Sequence, residues 1–549
     1  MQQPPAQQQP RSNDDAAAPR PPVTRGDREP YVPPKHVLDA ISGRVLDPGT
    51  AIAVRGVRPR STMYVGPRLL VSETPEAPDV IEKLQKVARD LGWEARVHGA
   101  RKGPSASRQA PGQGDGEQPR PVIPNVVRID LSLRDERATM APDGWALLQH
   151  ARAAYGLKAM ARVGLDHIVM VRSISPEPYH SPSPYHSPSP YHSPSPFEAP
   201  YSAPIASYAM AGSGGRQPIA YAGPAPVRHD DGDIVGRRPV VATLDTGCGK
   251  HEWLKVAASK GPRLDGKAIG YVDKSSDPEL WFDQFGSLDG SIDPLAGHGT
   301  FIAGLIHQAC PDADIVHWRI VGSDGPVVES DLVKALRQIA EVARRHRDGE
   351  EGGHPIDVFS LSMGYYHETP EDEQFDPTMK EILDLMGACG VTVVCSAGND
   401  ATSRPMFPAA FAPWADEAGK VRSSRKQVPI VSVGALNPNG SEALFSNEGP
   451  WVRAYAPGAA LMSTLPPFQG GLEPAARTKA YLRVRESIDP DDFTGHFALW
   501  SGTSFAAPLF AGRMAARLLG SIDPGDDLRP AAVRRAWLAL TKLTDIRSS

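Results

Sequence analysis

Four polar residues of this chain sit among small or apolar neighbours, and their side chains are a carboxylate, an imidazole, an amide and a hydroxyl. Asp245 directly follows the apolar run of VVATLDTG. His298 lies in GHGTFIAG, where Gly297 and Gly299 let the backbone approach closely and the next apolar residues begin a helix. Asn399 follows VTVVC in the phrase SAGN, and Ser504 lies in SGTSFAAP, small residues again leading into a helix. A serine at a helix N-terminus gains partial positive charge and free N–H groups nearby, which suits an alkoxide-like attack and the oxyanion that follows. Taken singly, each residue has a plainer reading: a turn-forming Asp, a structural His in a Gly-rich turn, a helix-capping GTS phrase. Only their joint occurrence at sheet edges argues for chemistry.

The elements that must position them begin near residue 238. Short apolar strands expected at 239–244, 314–320, 357–361, 391–395 and 429–433 alternate with amphipathic helices, which implies right-handed βαβ units and a parallel sheet. In such a sheet, reactive groups collect beyond the carboxyl ends of the strands. Asp245, the stretch Ser362, Met363 and Gly364 after VFSL, and Asn399 all fall there. One helix carries Leu332, Leu336, Ile339 and Val342 on a single face and ends in Arg344, Arg345 and Arg347, where the dipole favours cations. Another starts with Asp376 as N-cap and Pro377 at its first position, and stops at Gly390.

Upstream, residues 1–35 are too poor in apolar groups to offset the entropy of ordering and read as a disordered tail. Residues 36–174 read as strand 67–73, helix 78–92, strands 94–98 and 126–133, helix 143–156 and strand 167–173, the β-α-β-β-α-β order of an α+β ferredoxin-like domain. Residues 175–237 form a Pro/Ser-rich tether with copies of YHSPSP starting at Tyr179, Tyr185 and Tyr191. Its histidines, 180, 186 and 192, have no fixed geometry for a metal.

Composition excludes some classes. The formal net charge of -5 gives no basic field for nucleic acid or an anionic membrane surface, so a protein or peptide is the expected partner. No run is long enough to span a bilayer and the first residues carry no apolar leader, so a cytoplasmic protein is expected. Cys248, Cys310, Cys389 and Cys395 fit reduced thiols. Cys248 lies three residues after Asp245 and lines the cleft as a packing residue, with a regulatory thiol as the alternative. His251, His307 and His317 read as surface or packing residues.

Taken together, VVATLDTG, GHGTFIAG, LSMG, SAGN and SGTSFAAP resemble the subtilisin-like serine proteases, in that family's order of Asp, His, Asn and Ser. RIVGSDGPVVESDLVKALRQIAEV looks like its substrate-binding strand and following helix, FPAAF like its buried proline segment, and FSNEGPWVRAYAPG like its approach to the last catalytic segment. The resemblance covers about 238–520 within a peptidase domain placed at 238–549. It implies a subtilisin-like parallel sheet with helices on both faces, and a serine endopeptidase. Ser504 would be the nucleophile, His298 the base, Asp245 the orienting carboxylate and Asn399 an oxyanion donor. Ser362, Met363, Gly364, Gly325, Pro326 and Val327 would pair with the extended substrate. No metal or other cofactor is required; calcium stays undecided, with no clear ligand cluster.

The family commonly carries a propeptide of the same β-α-β-β-α-β order, which implies that 36–174 is an inhibitory or chaperoning prodomain, an intramolecular partner whose last strand, HIVMVRS, leads into the cleft. A recognition domain is the alternative. Two departures stand out: exported relatives have signals that are not seen here, and 466–499 looks like an insertion flanking the cleft. A sedolisin would use Glu in place of His298. A scaffold role would leave the triad unexplained, and a silent peptide-binding module is the remaining alternative.

Overall fold

The computed structural model describes residues 30–49, 52–99, 123–134, 140–171, 205, 207–285, 290–323, 325–369, 377–471, 477–486 and 492–549. In the first part of the chain, β1 (Met63–Ser72), α1 (Ala77–Asp90), β2 (Trp93–Val97), β3 (Val126–Leu133), α2 (Gly144–Tyr155) and β4 (Val163–Val171) follow in the element order expected from periodicity. The strands lie in the order β4-β1-β3-β2, each antiparallel to its neighbour. Leu84, Val87 and Ala88 of α1 pack with Leu69, Trp93 and Ile129 in one apolar cluster. α2 starts where the Asp143 carboxylate accepts from the Ala146 N–H at 2.9 Å.

β4 begins four residues before the expected 167. Asp166 interrupts its apolar pattern, and its partner is not local: its carboxylate accepts from the Ser330 N–H at 2.9 Å. The end of β4 also leaves its own sheet. Residues 163–167 pair with β1, whereas Ile168 to Val171 run between β9 (Pro326–Val328) and β11 (Met363–Tyr366), antiparallel to both.

The second sheet is parallel. It uses β6 (Val240–Asp245), β7 (Ala258–Lys260), β8 (Asp314–Arg319), β10 (Val358–Leu361), β12 (Thr392–Ser396), β13 (Val431–Leu436) and β14 (Ala454–Pro457) in the order β14-β13-β12-β10-β6-β8-β7. The five expected strands are all in it. Edge strands β7 and β14 were not anticipated, because short half-exposed runs carry little periodicity. Alternate residues serve opposite faces: Val241, Val358 and Val394 pack with α3 (His298–Ala309) and α6 (Thr503–Leu518), while Val240, Ala242 and Phe359 pack with α4 (Glu329–Arg347) and α5 (Thr378–Ala388). α5 has Pro377, not Asp376, at its N-cap, and Gly390 follows its end at φ +78°; Asp376 lies outside the described residues.

Short strands β9 (Pro326–Val328) and β11 (Met363–Tyr366) lie off the parallel sheet. The YHSPSP copies lie outside the described residues. Residues 207–237, expected within the tether, are packed on the second sheet's domain. The strand β5 (Gln217–Ile219) pairs with β18 (Phe497–Trp500), and Arg216, 1 % exposed, donates to the carbonyls of Ile292 and Asp293 at 2.8 Å. A Pro-rich composition does not reveal such side-chain anchors. Within 466–499, Phe468 and Phe493 are buried and β18 pairs with β15 (Leu461–Thr464). The short hairpin of β16 (Arg477–Ala480) and β17 (Arg483–Glu486) presents exposed Tyr481 and Leu482 at its turn.

Candidate active site

Asp245 is the last residue of β6 and His298 the first of α3, and the two meet at the carboxyl end of the parallel sheet. The Asp245 Oδ1 accepts from His298 Nδ1 at 2.7 Å and from the Thr246 backbone N–H at 2.8 Å. Both side chains are buried. The close approach depends on two glycines. A Cβ on Gly299 would meet the Gly247 carbonyl oxygen at 2.1 Å, and Gly297, at φ +78°, would drive one into Leu465 at 2.5 Å. With Nδ1 committed to Asp245, His298 Nε2 is buried and has no hydrogen-bond partner among the described residues.

The first turn of α6 lies against this imidazole. The rings of Phe505 and Trp500 stand 5.2 and 5.7 Å from it, and Ser504 is the residue before Phe505. The Ser504 carbonyl accepts from the Ser362 hydroxyl at 3.0 Å. Asn399 Oδ1 accepts from the Thr503 N–H at 2.9 Å and its hydroxyl at 2.8 Å, which fixes the amide beside the helix N-terminus. Ser362, Met363, Gly364, Asn399 and Ser504 line one cavity with Met406. Hence all four residues read from the sequence converge on one place.

The two segments expected to pair with an extended chain are both paired, and with the same strand. Pro326 and Val327 face Met170 and Val169, and Met363 and Gly364 face Val171 and Met170. Gly325 precedes them at φ +88°. A cluster of charges fixes β4 there. His167 donates from Nδ1 to Glu329 at 2.6 Å and from Nε2 to Glu368 at 2.7 Å, stacked on Tyr365 at 4.5 Å. Burial opposes its charge, but the two carboxylates outweigh burial and push its pKa up to about 10. His367, beside it, is held down to about 4 by burial. Among the described residues, the atoms of His167, His367 and Glu368 come close enough to share an ion. His167 Nε2 already donates to Glu368 Oε2, while Glu368 Oε1 is buried with no hydrogen-bond partner among the described residues.

Sequence reasoning missed this cluster, because its members lie on three separate segments with no spacing signature. It also missed Glu279, buried beside the Asp245–His298 pair. The thiol of Cys248 is pushed up by burial and by the Glu279 charge, which favours packing over a reactive thiolate. His251, His307 and His317 are each buried and each held down to about 4 by burial, as packing residues are. No helix among the described residues is long and apolar enough to cross a membrane.

A sequence model of the subtilase family matches residues 236–543. The chain is 25% identical over 316 residues to the serine protease AprX of Bacillus subtilis, covering 55% of this chain and 60% of that one. It is 26% identical over 290 residues to an intracellular serine protease of Paenibacillus polymyxa, covering 51% of this chain and 66% of the relative. The major intracellular serine protease of Bacillus subtilis matches at 23% over 248 residues, covering 42% and 62%. The chain thus spans between 60% and 66% of the length of these three relatives.

Proposed function

This chain belongs to the subtilase family, and from that premise we propose that it is a serine endopeptidase held silent by its own N-terminal domain. The observation that carries the catalytic part is the buried 2.7 Å contact of His298 Nδ1 with Asp245, which leaves Nε2 to act next to Ser504. In this reading Nε2 removes the Ser504 proton as Oγ attacks the scissile carbonyl carbon. Asp245 holds the imidazole in the tautomer that leaves Nε2 basic and steadies the imidazolium. The developing oxyanion takes hydrogen bonds from the Asn399 amide and the Ser504 N–H at the positive end of α6. The imidazolium then gives its proton to the leaving amine, and water repeats the sequence on the acyl-enzyme.

Silencing is supported by β4. Ile168 to Val171 occupy the strand position between β9 and β11 that an extended peptide substrate would take, and they do so by main-chain pairing, which does not depend on side-chain identity. We place residues 36–174 as this inhibitory domain and 238–549 as the core of the peptidase. Protein or peptide substrates follow, and four free cysteines support a cytoplasmic setting. The test is to follow intact masses of wild type and Ser504→Ala over time and to offer each an unstructured protein. Wild type is expected to shorten between residues 172 and 237 and to degrade the protein, while Ser504→Ala does neither. Equal behaviour of the two would sink the reading.

A further inference from the structure

Glu279 is a buried carboxylate in the loop before α3, and the catalytic roles above do not use it. Its Oε1 accepts from the Thr246 hydroxyl at 2.5 Å, the Gly299 N–H at 2.9 Å and the Thr300 N–H at 3.4 Å; Oε2 accepts from the Thr300 hydroxyl at 2.5 Å. Thr246 follows Asp245, and Gly299 and Thr300 follow His298. One carboxylate thus ties together the two segments that carry the proposed base and its orienting group, and it caps the first turn of α3. The hydroxyls extend the network: Thr246 Oγ1 accepts from the Gly299 N–H at 2.7 Å, and Thr300 Oγ1 from the Gly249 N–H at 2.6 Å.

The Thr246 hydroxyl has a single proton and two acceptors within reach, Glu279 Oε1 at 2.5 Å and Asp245 Oδ1 at 3.2 Å. The shorter contact wins the proton. Without Glu279 the hydroxyl would turn to Asp245 Oδ1, the oxygen that accepts from His298 Nδ1, and would draw off the negative charge that steadies an imidazolium. We propose that Glu279 is a positioning residue for His298: it keeps the Thr246 proton away from Asp245 and locks the Asp245 and His298 segments in register. The inference rests on the triad reading, and its test does not need turnover.

In full-chain Ser504→Ala protein, the His298 Nδ1 proton shared with Asp245 is expected to give a far-downfield proton resonance, to be assigned by its loss in His298→Gln, and its pH midpoint is the readout. Glu279→Gln removes the charge. Glu279→Asp keeps the charge but withdraws it from Thr246 by one methylene. Both variants are expected to lower the midpoint, by about 0.5 pH unit or more for Glu279→Gln, and Thr246→Val should abolish the effect of Glu279→Asp. Folded variants that titrate like the parent would overturn the proposal, and if Glu279→Gln does not fold, Glu279→Asp decides. Failure of the protease reading shows separately, as equal hydrolysis by wild type and Ser504→Ala.

Discussion

His298 and His167 are both buried, and each meets a carboxylate within 2.7 Å, yet they are suited to opposite tasks. His167 gives both ring nitrogens to carboxylates, Glu329 and Glu368, and becomes a fixed cation that clamps β4 between β9 and β11. His298 gives one nitrogen to Asp245 and keeps Nε2 buried, with no hydrogen-bond partner among the described residues. A histidine paired twice is a fastener, and one paired once can pass a proton. The number of acidic neighbours separates the roles more sharply than burial does.

The comparison breaks most readily on the side of His298. His298→Ala should lower peptide hydrolysis by about a million-fold, the scale seen when the base alone is lost from a subtilisin triad. A loss of less than about a hundredfold, with thermal stability unchanged, would remove His298 from the role of base. Asn399→Leu should cost less, about a hundred- to thousand-fold in kcat with KM nearly unchanged, the scale known for one oxyanion donor in a subtilisin. A change confined to KM would instead make Asn399 a binding residue.

On the side of His167 the sign reverses. His167→Ala leaves Glu329 and Glu368 buried without their cation, and breaking a buried pair in this way typically costs about 3–5 kcal/mol. The cost falls on the contact of β4 with β9 and β11, not on the Asp245–His298 pair. Amide exchange at residues 163–171 in Ser504→Ala protein should therefore speed up by about a hundredfold or more, and hydrolysis of a short peptide by otherwise wild-type protein should rise. Unchanged exchange would mean that β4 is held by its main-chain ladder alone.

The sequence made one of these two histidines visible and hid the other. His298 announces itself because the chain must come close to Gly247 and Leu465 there, so glycines surround it and the motif can be read. Asp245 and Asn399 follow apolar runs that can only be strands, and sheet topology does the rest. His167 sits in VGLDHIVMV, a run whose apolar pattern points to a strand and says nothing of Glu329 or Glu368, which lie 162 and 201 residues away. Glu279 was hidden for the same reason. Its four donors come from segments that only the folded sheet brings together. The packed stretch 207–237 was obscured by composition, because scattered polar side chains, Arg216, Arg228 and Arg237 among them, anchor what reads as a spacer.

The smaller effect on the clamp should come from pH. Docking raises the pKa of His167 from an ordinary value near 6.5 to about 10, so its contribution is fully present below about pH 6.5 and is lost as the pH rises through 10. Of the other shifted groups around it, Asp166 is pushed up by burial only to about 6, His367 is held near 4, and Glu368 is held below the usual carboxylate range, its two histidine neighbours overcoming burial, whereas Tyr64, opposite His167 on β1, is pushed by burial well above its ordinary value and out of the window on the alkaline side. Between pH 7 and 10 the change therefore belongs mainly to His167. A neutral imidazole still fills the space and still donates one hydrogen bond, so deprotonation should weaken β4 less than His167→Ala does. Exchange at 163–171, corrected for its intrinsic pH dependence, should accelerate toward pH 10 in the parent and stay flat in His167→Ala. Equal acceleration in both would move the alkaline sensitivity elsewhere and leave His167 a neutral packing residue.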